Sequence, residues 1–264
     1  MAIYRKTTEL SKIYRGNTEI NKIYRGQTQV YSVVSYPYIT DNLILSLDVT
    51  DSNSYPGSGT TWTDLSGNGY NVTLYNGVTY DSGNGGHLIF DGSNDYGAVN
   101  SVDIGSTDFT IEFWGRSNSS SQTAYANILD FEHSISGGTG GWVIQQANTS
   151  NNNFYFAFYD GSGYQSNGDA AVFSLSTSSW EHIVITKNGT SITIYENGSN
   201  NGNGWTASSS NFPGQTQRLR IASWWAGGGG GRYMNMDFGA IRIYSVALNS
   251  SQVLSNYTNT NSNY

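Results

Sequence analysis

The hexapeptide FTIEFW, residues 109–114, alternates Phe109, Ile111 and Phe113 with Thr110, Glu112 and Trp114. A period of two sends successive side chains to opposite faces of a strand, so the stretch reads as sheet with two distinct faces. The same period recurs where Leu43, Leu45 and Leu47 alternate with Ile44, Ser46 and Asp48. In FYFAFY, residues 154–159, Phe154, Phe156 and Phe158 alternate with Tyr155, Ala157 and Tyr159. Both faces of that strand are apolar or aromatic, which predicts a second sheet over one face and a loop or partner over the other. Further strands are expected at 127–131, 142–146, 181–187, 191–196, 218–222 and 234–244. Trp180 and His182 share a face at the start of one of them and read as a packed indole beside a hydrogen-bonded imidazole. Only the tail is expected to be helical, with Asn249 as its cap and Val253 and Tyr257 on one side. The expected fold is all-β, two antiparallel sheets packed face to face.

Composition agrees with many short strands and tight turns. The 264 residues include 32 Gly and only 3 Pro; charged side chains make up 12% and aromatics 14%. Aromatic and β-branched residues suit pleated surfaces, while Gly and Asn supply the positive φ that turns need. There is no cysteine, which excludes a disulfide framework and a thiolate-bound metal. The opening MAIYRKTTEL lacks the apolar centre of a secretory signal, and no run approaches the roughly 18 apolar residues of a membrane span. The expectation is a chain made in the cytoplasm and at first soluble there, with no membrane insertion.

Residues 3–32 are one ten-residue phrase written three times. Ile3, Ile13 and Ile23 superimpose, as do Tyr4, Tyr14 and Tyr24, Arg5, Arg15 and Arg25, and Thr8, Thr18 and Thr28. Each unit reads as strand, turn, strand, with Gly16 and Gly26 at the reversal and Lys6 in their place in the first unit. So short a unit cannot bury a face alone, so units stack or copies from neighbouring chains pack together. VSYPYITD ends the repeat and puts a domain boundary near residue 38, leaving 39–264 as the sandwich. Charge divides the same way: residues 1–38 hold six of the twelve basic residues and two of the nineteen acids, although the whole chain is at −7. One Arg per ten residues at fixed spacing is a structural period more than a phosphate-binding cluster, so no nucleic-acid partner is expected.

Several ordered motifs carry a resemblance. SYPGSGTTWTDLSGNGYNVTLYNGVTYDSGNGGHLIFDGSNDYGAV (54–99), FTIEFW, WEHIVITKNGTSITIYENG (180–198) and FGAIRIYSVALNSSQV (238–253) together resemble the laminin-G-like, concanavalin A-like jelly-roll modules. The likeness is strongest to the versions carried by tailed-phage structural proteins, and the decapeptide repeats also resemble short repeats of virion proteins. It implies two curved sheets over about residues 40–257 and a place among adhesins, lectins and decoration proteins. The expectation is a virion component, a capsid decoration, fibre or tail-fibre part, assembled in the host cytoplasm. Residues 1–38 would attach it to other virion proteins, with Tyr4, Arg5, Tyr14, Arg15, Tyr24 and Arg25 as the anchor. A homo-oligomer is expected, a trimer if the repeats wind together. The alternative is an adhesin that contacts host-surface glycans.

Candidate sites follow from the residues and from the resemblance. Trp224 and Trp225 precede the glycine run 227–231, and Trp205 lies in another Gly/Asn-rich loop. Exposed indoles there would stack on sugar rings, which makes Trp205, Trp224 and Trp225 the expected carbohydrate contacts. Asp91, Asn94 and Asp95 of FDGSNDYG offer oxygen donors suited to calcium, a cation the family often holds. Gly239 and Ala240, however, stand where relatives often carry Asp-Glu. In ILDFEHS, Asp130 and Glu132 share a face, yet Ile128 occupies the position of the glucanase nucleophile, and no nucleophile triad, HExxH or phosphate loop occurs. The chain is therefore expected not to be an enzyme. In WTDLSGNGYN, Asp64 is expected to hold backbone N–H groups beside a turn made by Gly67, Asn68 and Gly69, and Asn197-Gly198 marks a hairpin.

Overall fold

The computed structural model describes residues 36–132, 140–147, 152–168, 170–224 and 232–264, together with the strand residues between 14 and 32. The chain divides into two units, Met1–Pro37 and Tyr38–Tyr264. In the first, β1 (Tyr14–Arg15) pairs with β2 (Thr18–Glu19), and β3 (Lys22–Arg25) with β4 (Thr28–Ser32), both antiparallel. Arg15 faces Thr18 and Arg25 faces Thr28, so the second and third repeats form hairpins offset by one period. The first repeat, with Tyr4 and Arg5, lies outside the described residues.

The second unit is a sandwich. Its strands run β5 (Leu43–Asp48), β6 (Thr61–Trp62), β7 (Val72–Tyr75), β8 (Thr79–Asp81), β9 (His87–Asp91), β10 (Tyr96–Asp103) and β11 (Phe109–Ser117). They continue as β12 (Asn127–Phe131), β13 (Trp142–Gln146), β14 (Asn153–Tyr159), β15 (Tyr164–Ser166), β16 (Phe173–Ser174), β17 (Glu181–Asn188) and β18 (Ser191–Glu196). The last are β19 (Ser199–Asn200), β20 (Trp205–Thr206), β21 (Thr216–Ile221) and β22 (Asn235–Tyr244), followed by α1 (Ser250–Thr260) and a 3-10 turn, Asn261–Asn263. Among the described residues, the first sheet has the order β15-β14-β13-β12-β21-β10-β7-β6, with β16 on β14. The second runs β19-β18-β17-β11-β22-β9-β8, with β20 on β18 and β5 on β22. Each strand pair is antiparallel, as a jelly roll requires.

The inward faces meet in one aromatic core. Phe109, Phe113, Phe154, Phe156, Phe158, Phe131 and Trp142 are fully buried in it, and the Trp142 ring lies parallel to Phe131 at 5.2 Å. Each such side chain stabilises the fold by roughly 2–3 kcal/mol relative to exposure. Tyr155 and Ala157, on the other face of β14, are buried with Val143 in a separate small cluster, so both faces of β14 are covered as expected.

Turn chemistry fits the sequence. Asn197 and Gly198 have φ of 50° and 80°, the left-handed pair of a type I′ turn joining β18 to β19. Asp64 is buried; its Oδ1 accepts from the N–H groups of Ser46 and Ser66, each at 2.9 Å, and its Oδ2 from Tyr70 N–H at 3.0 Å. That one carboxylate ties strand β5 to the turn at Gly67 and Gly69, both at positive φ. Asn249 caps α1, accepting from Gln252 N–H while the Gln252 side chain accepts from Asn249 N–H.

Candidate functional site

The outward face of the second sheet is not left to solvent. Thr110, Glu112 and Trp114 on β11, the polar half of the opening alternation, lie beside Thr186, Val184 and His182 on β17 and Tyr244, Arg242 and Ala240 on β22. Helix α1 and the residues after it pack onto this face. Asn256 donates to Glu112 Oε2 at 2.6 Å and to Tyr244 Oη at 3.0 Å, and accepts from Ile39 N–H at 2.8 Å. The Trp114 indole N–H donates to Thr260 Oγ1 at 2.9 Å. Arg242 donates to Glu112 Oε1 at 2.8 Å and to Asp48 Oδ2 at 2.7 Å, with its guanidinium 3.9 Å from the Tyr38 ring centre. Burial alone would raise the Glu112 carboxyl, but Arg242, followed by His182 and Asn256, holds it down at about 2.

Where this packing ends, a pocket of about 430 Å³ opens, lined by Trp114, Arg116, Trp180, Tyr257 and Tyr264 with Asn84, Asn197, Asn261, Ser178 and Ser179. Its aromatic walls are ordered by stacking. Trp114 lies 4.7 Å from Tyr264 and 5.7 Å from Tyr257, both nearly parallel, and Trp180 lies 5.1 Å from Tyr264. Tyr264 enters this stack because Gly239 carries no side chain: a Cβ there would sit 2.1 Å from the Tyr264 ring. Burial, with the Asp48 charge, pushes the Tyr264 hydroxyl well above its ordinary value. Trp180, Tyr257 and Tyr264 are half-buried, while the five Asn and Ser side chains are exposed. Arg116 sits over Trp180 at 5.2 Å and donates through Nε to Asp237 Oδ2 at 2.7 Å. Asp237 also accepts from Asn118 Nδ2 at 2.5 Å, and His87 Nε2 is 3.5 Å away. The pocket thus combines flat apolar ring surfaces with amides, hydroxyls and a guanidinium.

The residues expected from sequence lie elsewhere. Trp205 pairs with Ile192 on β18 and stacks on Phe158 at 6.1 Å, so its ring closes the core edge of the second sheet. Trp224 follows β21 of the first sheet, half-buried beneath the Arg232 guanidinium at 4.0 Å. Trp225 lies outside the described residues. Trp205 and Trp224 thus belong to different sheets, the one on β20 and the other just after β21. Asp91 and Asp95 form a self-contained turn: Asp91 Oδ1 accepts from the N–H groups of Ser93 and Asn94 at 2.7 and 3.2 Å, and Asp95 Oδ2 accepts from Asp91 N–H at 3.2 Å. The Asn94 carbonyl accepts from Asn76. Burial would raise Asp91, yet these backbone donors lower it, whereas burial raises Asp95. Among the described residues no three His, Cys, Asp or Glu side chains cluster as metal ligands would.

Asp130 is fully buried on β12, accepting from Asn127 Nδ2 at 3.2 Å. Glu132 lies beyond the strand at a φ of 44°, where the alternation no longer holds, and accepts from Arg218 N–H at 3.3 Å. The expectation that the two share a strand face is thereby corrected. Trp180, read as a packed indole, packs against His87 and Tyr264 and also lines the pocket, whereas Trp114, Arg116, Tyr257 and Tyr264 were not among the expected site residues. One signal was present in the sequence: Trp114 is an aromatic on the polar face of an otherwise cleanly alternating strand.

The fold and pocket define a lectin-like β-sandwich. Residues 91–254 match the family described as the Concanavalin A-like lectin/glucanases superfamily, more than half of the chain, and the protein belongs to that family. Solved structures share the fold. The binding domain of botulinum neurotoxin serotype D superimposes with a TM-score of 0.60 at 17% identity. The binding domain of Paraclostridial Mosquitocidal Protein 1 gives 0.59 at 20%, and that of botulinum neurotoxin DC in complex with SialylT gives 0.60 at 18%. Each match covers 83% of this chain and 52% of the other, so this chain spans about half the length of the chains it resembles. No curated protein sequence matches it significantly.

Proposed function

We propose that the sandwich is a glycan-binding module without enzymatic activity, displayed on the virion of a tailed phage by its N-terminal repeats. The observation that carries the glycan reading is the pocket walled by the half-buried rings of Trp180, Tyr257 and Tyr264, with the buried Trp114 stacked behind the two tyrosines, and rimmed by Asn84, Asn197, Asn261, Ser178 and Ser179. Sugar rings present C–H faces that stack on aromatic surfaces and hydroxyls that pair with amides, and this wall and rim supply both. A similar fold in complex with SialylT is consistent with it. The non-enzymatic reading rests on Ile128 at the nucleophile position and on Asp130 and Glu132 falling on different local backbone. The virion reading rests on the ten-residue repeat, whose second and third units form matching hairpins. Their short strands can pair with other chains, in a homo-oligomer or against another virion protein.

The test is a broad glycan array probed with the full chain, alongside Trp180→Ala and Tyr257→Ala. Binding that both variants lose while melting cooperatively supports the reading. Silence of the parent across the array defeats it and leaves a virion part without a ligand. Mass spectrometry of purified particles tests the location, and a deletion of residues 1–38 that still enters particles defeats the anchor.

A further inference from the structure

We infer that the pocket selects sugars carrying a carboxylate, with Arg116 as the specificity-determining residue; this rests on the glycan reading of the same pocket. Arg116 is the one charged side chain among the lining residues. Its side chain is 26% exposed, and its Nε is committed to Asp237, which is buried. Among the described residues its two terminal amino groups have no protein partner, so the end-on fork of the guanidinium is free at the pocket. A planar fork fixed at one edge is preorganised for a bidentate carboxylate, with geometric selectivity that a lysine lacks. The fixing is thorough: Asp237 holds Nε, Asn118 holds the other Asp237 oxygen, and Trp180 lies beneath the guanidinium. A sugar stacked on Trp180 therefore meets the fork at its rim.

Besides Asp237, the rim residues Ser179 and Asn197 hold a second carboxylate, Glu181, whose oxygens accept from Ser179 Oγ at 3.1 Å and Asn197 Nδ2 at 2.7 Å. Glu181 thereby orients two rim side chains, leaving the Ser179 oxygen as an acceptor and one Asn197 N–H as a donor. Because Asp237 balances much of the Arg116 charge, the selection acts through short hydrogen bonds more than through a long-range field.

The experiment titrates the full chain with methyl glucuronide and with methyl glucoside, followed by tryptophan fluorescence and saturation-transfer NMR. The glucuronide should bind about tenfold more tightly, as two charge-assisted hydrogen bonds at a half-exposed site allow. Arg116→Gln should remove the preference while keeping glucoside binding, and Trp180→Ala should lose both sugars. Arg116→Lys retains the ion pair with Asp237 and guards against misfolding; it should keep only part of the preference. Equal affinity of the parent for the two sugars, or a preference that survives Arg116→Gln, overturns the inference and leaves the glycan reading standing. Binding of neither sugar overturns the inference, and the glycan reading then stands if the array gives a signal and falls if the array is silent.

Discussion

Arg242 Nη1 donates to Glu112 Oε1 at 2.8 Å across directly paired strands, and neither side chain reaches solvent. The pair lies on the outward face of its sheet, where a sandwich ordinarily meets water. Helix α1 converts that face into a second interior, so charges placed for solvent must find partners. Asp48, Asn256 and His182 complete the set, with His182 Nε2 at 3.3 Å from Glu112 Oε1.

Arg242→Met should destabilise the protein by about 3–5 kcal/mol, because it leaves Glu112 and Asp48 buried without their cation. Urea unfolding monitored by tryptophan fluorescence measures this. Adding Glu112→Leu should recover part of the loss.

Acid should weaken the fold through Glu112. Its folded value of about 2 lies below the ordinary 4.5, so between those values the unfolded chain binds the extra proton. The contribution is complete above about pH 5 and is lost as pH falls through the folded value, a span of roughly 3 kcal/mol. Stability measured from pH 6 down to pH 2 should decline less steeply in Glu112→Gln than in the parent, from a lower starting point.

Asp64→Ala should cost about 1–3 kcal/mol, since the N–H groups of Ser46, Ser66 and Tyr70 lose their acceptor at once. Asp64→Asn keeps one carbonyl oxygen and should fall between. Thermal melts of the three proteins order them, and hydrogen exchange at residue 46 should rise in the Ala variant.

Gly239→Ala places a methyl group where the Tyr264 ring sits. The ring must leave the stack between Trp114 and Trp180, at a cost of about 1–3 kcal/mol. Near-ultraviolet circular dichroism should change with little alteration of the far-ultraviolet spectrum. An unchanged aromatic spectrum would show that Tyr264 does not depend on this slot.

Much of the architecture was legible in local pattern. The strands at 127–131, 142–146 and 191–196 coincide with β12, β13 and β18, and Asn249 caps the only α-helix among the described residues. Asp64 and Asn197-Gly198 act as read because an Asx side chain and an Asn-Gly pair satisfy backbone groups within a few residues of themselves. The site was less legible. Trp205 and Trp224 were conspicuous beside glycines, but what packs on a ring is not written beside it in the chain: both are half-buried, Trp205 against Phe158 and Trp224 against Arg232.

Alternation of side chains along the chain determined, without any structure, that this protein is a two-layered sheet with an aromatic interior and tight turns, since period and turn chemistry are short-range. Only the tertiary structure decided where its pocket forms. The pocket draws Asn84, Trp114, Trp180, Asn197 and the pair Tyr257 and Tyr264 from five separate parts of the chain. They meet because helix α1 folds back on a sheet face whose charges are neutralised by partners up to 194 positions away in sequence, and no local period records a contact that distant.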